Sequence, residues 1–148
     1  MDVGRSIVHW KQNYDRADDV NPAEYMDLDE YMNLCDASGV EPMLGINMSS
    51  GRNYEHQEDG LRKRLNYCKA KGFEVNYLYL DNENHHKHWS AEEYAAQINY
   101  YVPAIKEQMP HAKLIANWTD KFRTNIGSFT TLVNQAGDNF DYIDVHWY

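Results

Sequence analysis

Four times along the chain a short apolar run gives way to polar groups, and then to a segment whose apolar residues recur at helical spacing. The runs are 42–48 (P-M-L-G-I-N-M), 75–80 (V-N-Y-L-Y-L), Lys113–Asn117 (K-L-I-A-N) and 142–147 (Y-I-D-V-H-W). Each is too short for a buried helix and too apolar for a loop, so each predicts a buried β-strand. Amphipathic helices are predicted between them. Leu28, Tyr31, Met32 and Cys35 form one apolar stripe, with Asp27 and Glu30 at capping-box spacing and Gly39 as the stop. Leu61, Leu65 and Cys68 mark a second helix closed by Gly72. Ser90 and Glu93 form another capping box ahead of Tyr94, Ile98, Tyr101, Val102 and Ile105. Pro103 should bend that helix and Pro110 should end it. Phe129, Leu132, Val133 and Ala136 give a fourth helix, closed by Gly137. Ahead of all this periodicity is weak: 6–10 (S-I-V-H-W) reads as a strand end, 11–20 as a long loop, and Asn21-Pro22 as a turn or helix start.

Strands alternating with helices every 30 to 37 residues or so are the rhythm of β/α units in a parallel sheet. The strand ends distinguish this sheet. Asn47, Asn82-Glu83, Asn117-Trp118 and His146-Trp147-Tyr148 all place polar or aromatic groups at the carboxyl edge, where β/α proteins bind ligands. A doubly wound sheet would concentrate such groups at one switch point, and residues 3–51 contain no Gly-rich dinucleotide loop. The fold expected is therefore α/β, part of a (β/α)8 barrel.

Composition narrows the partners. A chain of 148 residues, 43% apolar and 25% charged, can bury a core as one domain. The net charge of −9 argues against nucleic acid, whose binders display basic faces. No apolar run approaches the ~18 residues that span a membrane, and no leader with a cleavage site is recognisable. Cys35 and Cys68 fall on apolar helix faces and read as buried free thiols. The 12 Tyr and 4 Trp suit stacking on sugar rings, although helix-face tyrosines account for much of the excess.

Glu83 is the main chemical candidate. Glycoside hydrolysis needs one carboxylic acid to protonate the leaving oxygen and a second carboxylate to attack or to activate water. A strand-end glutamate beside an amide that can bond a sugar hydroxyl meets the first need. The plainer alternative is a cap or surface carboxylate of the next helix, a role Asp81 would fill equally well. His85, His86 and His88 could ligate zinc with Asp81 and Glu83, but they lack an i, i+4 spacing. Loop histidines lining a sugar cleft, with His85 the candidate, or solvated loop residues are the competing readings. No cofactor is implied. Trp118 is the better candidate for a sugar-stacking platform, because Trp147 alternates with His146 and should point into the helix layer.

From Asp27 to Tyr148 the sequence resembles the clan of retaining glycoside hydrolases built on β/α barrels, whose fourth strand ends in Asn-Glu. L-D-E-Y-M-N-L-C with G-V-E-P-M-L-G-I-N looks like the second helix and third strand of α-L-arabinofuranosidases, β-agarases and porphyranases. Y-L-Y-L-D-N-E looks like strand four, K-L-I-A-N-W like strand five, and D-Y-I-D-V-H-W-Y like strand six. The resemblance implies Glu83 as general acid/base and Asn82 as the ligand of the hydroxyl next to the reacting carbon. It implies a substrate-facing His146, and a Tyr148 that touches the nucleophile. Asn47 and His85 join the expected substrate-binding set. The compact run after Asn82-Glu83 and the I-A-N-W segment look nearer to agarases and porphyranases, implying a galactan substrate such as agar or porphyran. The runner-up is an α-L-arabinofuranosidase, and a non-catalytic carbohydrate-binding module is the alternative of another class.

The family's nucleophile ends strand seven, whereas the resemblance stops at strand six. Residues 1–148 are thus expected to be strands three to six of one barrel of ~250 residues, without strands one, seven and eight. Asp138, Asp141 and Asp144 are expected before or within the last strand, away from its mouth end. Such a part of a barrel should self-associate through its open edges. A polysaccharide substrate favours a secreted or periplasmic protein.

Overall fold

The computed structural model describes residues 26–46, 48, 54–83, 89–119 and 126–146. The expected features at 6–10, 11–20 and Asn21-Pro22 lie outside these residues, as do Asn47, His85, His86, His88, Trp147 and Tyr148.

The elements run α1 (Leu28–Ser38), β1 (Met43–Ile46), α2 (Tyr54–Lys71), β2 (Tyr77–Leu80), α3 (Ala91–Gln108), β3 (Lys113–Asn117), α4 (Ile126–Ala136) and β4 (Tyr142–Asp144), with a 3-10 turn at Gly137–Asn139. Both capping boxes form: the Asp27 and Ser90 side chains accept from the N–H groups of Glu30 and Glu93, whose carboxylates reach back to the cap N–H. Gly39 ends α1 in the left-handed region, at φ 63°, where a Cβ would be strained. Pro103 lies within α3.

The four strands form one parallel sheet in the order β1-β2-β3-β4. Sequential order in an all-parallel sheet is the arrangement of barrel strands, and it contains no switch point. The fold is the expected α/β one and matches part of a (β/α)8 barrel. Pleating sends alternate residues to opposite faces. Leu44, Ile46, Leu78, Leu80, Leu114 and Ala116 are all buried in one cluster with Tyr31, Leu65, Ile98, Ile105 and Leu132 of the helices. Met43, Gly45, Tyr77 and Ile115 share the other face and are only half-buried, and Tyr142 beside them is 50% exposed.

Two expectations need correction. The last strand stops at Asp144 rather than continuing to 147, because β3, its partner, ends at Asn117 in register with Asp144. Val133, placed on the apolar face of α4, is 47% exposed; the buried stripe runs through Ser128, Leu132 and Ala136, and Val133 stands a helical step off it. Among the described residues no helix is long and apolar enough to cross a membrane.

β4 is anchored to β3 at its start by Asp141, whose carboxylate accepts from Lys113 Nζ (2.8 Å) and Leu114 N (2.9 Å). Burial pushes the Asp141 carboxyl up, but the Lys113 and Leu114 donors outweigh it and hold the group below the usual carboxylate value. A depressed folded-state value stabilises the fold above the unfolded value, and that share is lost as pH falls through the folded one. Asp141→Asn is therefore expected to lower stability near neutral pH by up to about 1 kcal/mol. The difference from the parent should shrink towards zero as urea titrations are carried below about pH 4.

Cys35 and Cys68 are free and buried, as expected. Burial raises the Cys68 thiol to about 11, so little thiolate is present at neutral pH. A colorimetric thiol assay should leave Cys68 unreacted in the folded chain and count it after denaturation.

Candidate active site

The register builds the site. Leu80 pairs with Ala116 and Asn117 with Asp144, so Asp81, Asn117 and Asp144 stand level at the carboxyl ends of three neighbouring strands. Asn117 and Asp144 lie on the face opposite the helices, which Tyr79 shares in β2, and His146 stands two residues beyond Asp144.

After β2 the backbone turns sharply. Asp81 and Glu83 both adopt positive φ, 64° and 51°, which non-glycine residues avoid at a cost on the order of 1–3 kcal/mol each. Several hydrogen bonds hold them there. Asp81 N donates to Ile46 O (2.8 Å), while its carboxylate accepts from Met48 N (2.9 Å) and Asn82 N (2.8 Å). Asp81 thus ties the end of β1 to the end of β2, and the helix cap the sequence offered it belongs to Ser90. Glu83 N donates to Asn117 Oδ1 (2.7 Å). Asn82 stands between them, half-buried.

The turn brings Glu83 to His146, with Glu83 Oε1 2.8 Å from His146 Nδ1. On the other side of the ring, His146 Nε2 lies 3.0 Å from Asp144 Oδ2. The same oxygen accepts from Tyr79 OH (2.5 Å) and Asn117 Nδ2 (2.9 Å). Burial first, and then the bond to Asp144, push the Tyr79 hydroxyl well above its ordinary value, so it stays protonated and donates. Glu83 and His146 each keep about a quarter of their side-chain surface exposed, at 26% and 25%, so both can meet a ligand.

Among the expected residues the structure brings Glu83 and His146 into contact, with Asn82 next to Glu83 in the turn. It removes Trp118. That ring is 0% exposed, stacks on Tyr94 at 5.5 Å, and donates through Nε1 to Ser128 Oγ (3.0 Å). Trp118 follows Asn117, which faces the site, so alternation sends the indole into the helix layer, where no sugar can reach it. Asp144 needs the opposite correction. Expected away from the mouth, it is the hydrogen-bond hub of the site; its two-residue separation from His146 is the signal that places both on one face. Tyr79 lies inside the apolar run 75–80, and no local pattern marks it as a site residue.

Glu83 and Asp144 contact opposite nitrogens of one imidazole and so do not converge on a point as metal ligands would. Among the described residues no group of three or more His, Cys, Asp or Glu side chains could hold a metal ion. What the arrangement offers is a partly exposed carboxyl in hydrogen-bond contact with a group able to take or return its proton.

No protein-family model matches the sequence, and no curated protein matches it. Solved structures do. An α-L-arabinofuranosidase from Thermotoga maritima matches with a TM-score of 0.67 and 23% identity over 99% of this chain and 35% of its own. A family 51 α-L-arabinofuranosidase from Thermotoga petrophila matches at 0.66 and 24%, over 95% of this chain and 34% of its own. Another family 51 α-L-arabinofuranosidase, from Bifidobacterium longum, matches at 0.67 and 20%, over 83% and 28%. The chain spans about a third of the length of these proteins. The likeness establishes a shared fold, and none of the three is an agarase or a porphyranase.

Trp118→Ala is expected to lower stability by about 3–5 kcal/mol in urea denaturation, as removal of a buried aromatic does. A sugar platform would instead lose carbohydrate affinity and leave stability near the parent value.

Proposed function

We propose that this chain is part of the (β/α)8 domain of a retaining glycoside hydrolase, with Glu83 as general acid/base. The observation that carries the reading is the 2.8 Å contact between Glu83 Oε1 and His146 Nδ1 at the carboxyl ends of neighbouring parallel strands. It is supported by the fold shared with three glycosidases. Asn82 is the proposed ligand of the substrate hydroxyl next to the reacting carbon. His146 is the proposed neighbour of Glu83 at the sugar. Asn47, His85 and Tyr148 keep their proposed substrate-binding roles on sequence grounds.

The substrate proposed is an α-L-arabinofuranoside, because every solved structure named above is an α-L-arabinofuranosidase. This reverses the order of preference drawn from the sequence, which put agar-type galactans first. In a retaining mechanism Glu83 protonates the leaving oxygen while a second carboxylate, ~5–5.5 Å away, attacks the anomeric carbon. Asp144 does not supply that carboxylate: it lies across the imidazole from Glu83, engaged by three donors. The nucleophile is proposed to come from a later strand of the whole domain.

In a protein carrying the complete barrel, Glu83→Gln should reduce turnover of an arabino-oligosaccharide by about 10²–10⁴-fold, and the parent should release product with retained anomeric configuration by NMR. Inverted product would overturn the retaining assignment. Undiminished turnover in the variant would remove Glu83 from the acid/base role. Hydrolysis of a galactan but not of an arabinoside would restore the first substrate preference. The 148-residue chain alone should hydrolyse neither.

A further inference from the structure

The hydrogen bonds around His146 fix where its protons lie. Asp144 Oδ2 accepts from Tyr79 OH at 2.5 Å and from Asn117 Nδ2 at 2.9 Å, and it faces His146 Nε2 at 3.0 Å. Asn117 can be oriented only one way, since its Oδ1 must accept from Glu83 N. Its amide N–H groups therefore point at Asp144, which acts as an acceptor throughout. An unprotonated Nε2 would set a lone pair against a carboxylate oxygen, so Nε2 carries a proton. Tyr79 oxygen, 3.1 Å from the same nitrogen, is free to share it because the hydroxyl proton is directed to Asp144. In the neutral ring Nδ1 is then the bare nitrogen, and it faces Glu83 Oε1 at 2.8 Å. Two lone pairs do not approach that closely, so one proton lies between Glu83 and His146.

We propose that Asp144 is a positioning residue: it locks His146 in the Nε2–H tautomer, so that Nδ1 and Glu83 share a single proton. This rests on the reading of Glu83 as general acid/base, and it says how that group is kept loaded. With one proton in the pair, Glu83 is a neutral acid beside neutral imidazole, or a carboxylate beside imidazolium. Passing that proton to the glycosidic oxygen leaves a carboxylate against a bare nitrogen, an arrangement that favours taking a proton back from the attacking water. Among the described residues, the titratable groups against His146 are Glu83 and Tyr79 from the β2 side and Asp144 from its own strand; Thr119 Oγ1 accepts from its backbone N–H at 2.9 Å.

Nitrogen NMR of the imidazoles in the ¹⁵N-labelled full chain tests this, with His146 assigned by loss of its signals in His146→Gln. At a pH where the ring is neutral, the parent should show one tautomer, protonated at Nε2, with a slowly exchanging Nε2–H resonance. Glu83→Gln should keep that tautomer, because the glutamine amide can donate to Nδ1. Asp144→Ala, which removes the acceptor, should lose the slow Nε2–H resonance and show both tautomers, with backbone amide spectra changed only around the site. A ring with a bare Nε2 and its proton on Nδ1 in the parent, a switch of tautomer in Glu83→Gln, or an unchanged ring in Asp144→Ala would each overturn the proposal. If Asp144→Ala does not fold, the parent and Glu83→Gln spectra still decide. No substrate is involved, so the result stands or falls separately from the turnover of Glu83→Gln in the longer protein.

Discussion

One side-chain amide holds the site together. Asn117, fully buried at the end of β3, accepts from the backbone of Glu83 through Oδ1 and donates to Asp144 through Nδ2. It therefore links the turn after β2 to the end of β4 across the strand between them. A buried amide can satisfy a donor on one side and an acceptor on the other only in one orientation, and that orientation sets the polarity of everything beyond it. Asp144 becomes an acceptor, His146 a donor at Nε2, and Glu83 the partner of Nδ1.

The turn that carries Glu83 depends on such ties because it is intrinsically unfavourable. Two non-glycine residues with positive φ within three positions would relax in an isolated peptide. Here each is over-determined: Asp81 by the backbone of Ile46, Met48 and Asn82, and Glu83 by Asn117. Strain held by surrounding bonds is typical of positions where a side chain must be aimed rather than merely accommodated.

The helix layer supports the same strand ends from behind. The Tyr94 hydroxyl, on α3, donates to Leu80 O and accepts from Asn117 N, bridging β2 and β3 where both give way to the site. Trp118 stacks on that tyrosine and is fixed by Ser128 of α4. The indole is buried support for Tyr94, the residue whose hydroxyl ties the ends of β2 and β3 together.

The sequence by itself determined the class of fold, four of its strands and helices, and the stretch where chemistry is concentrated. Short apolar runs, two capping boxes and the Asn82-Glu83 strand end are local patterns, and local patterns are governed by backbone geometry and burial that short segments express alone. Only the tertiary structure decided which residues share the site. Asp144, Tyr79 and Asn117 meet because parallel register aligns the ends of three strands far apart in the chain, and no local spacing encodes that alignment. Trp118 went to the core for the same reason. A strand's alternation says that neighbours face opposite ways, but the packed helices decide which way is inside.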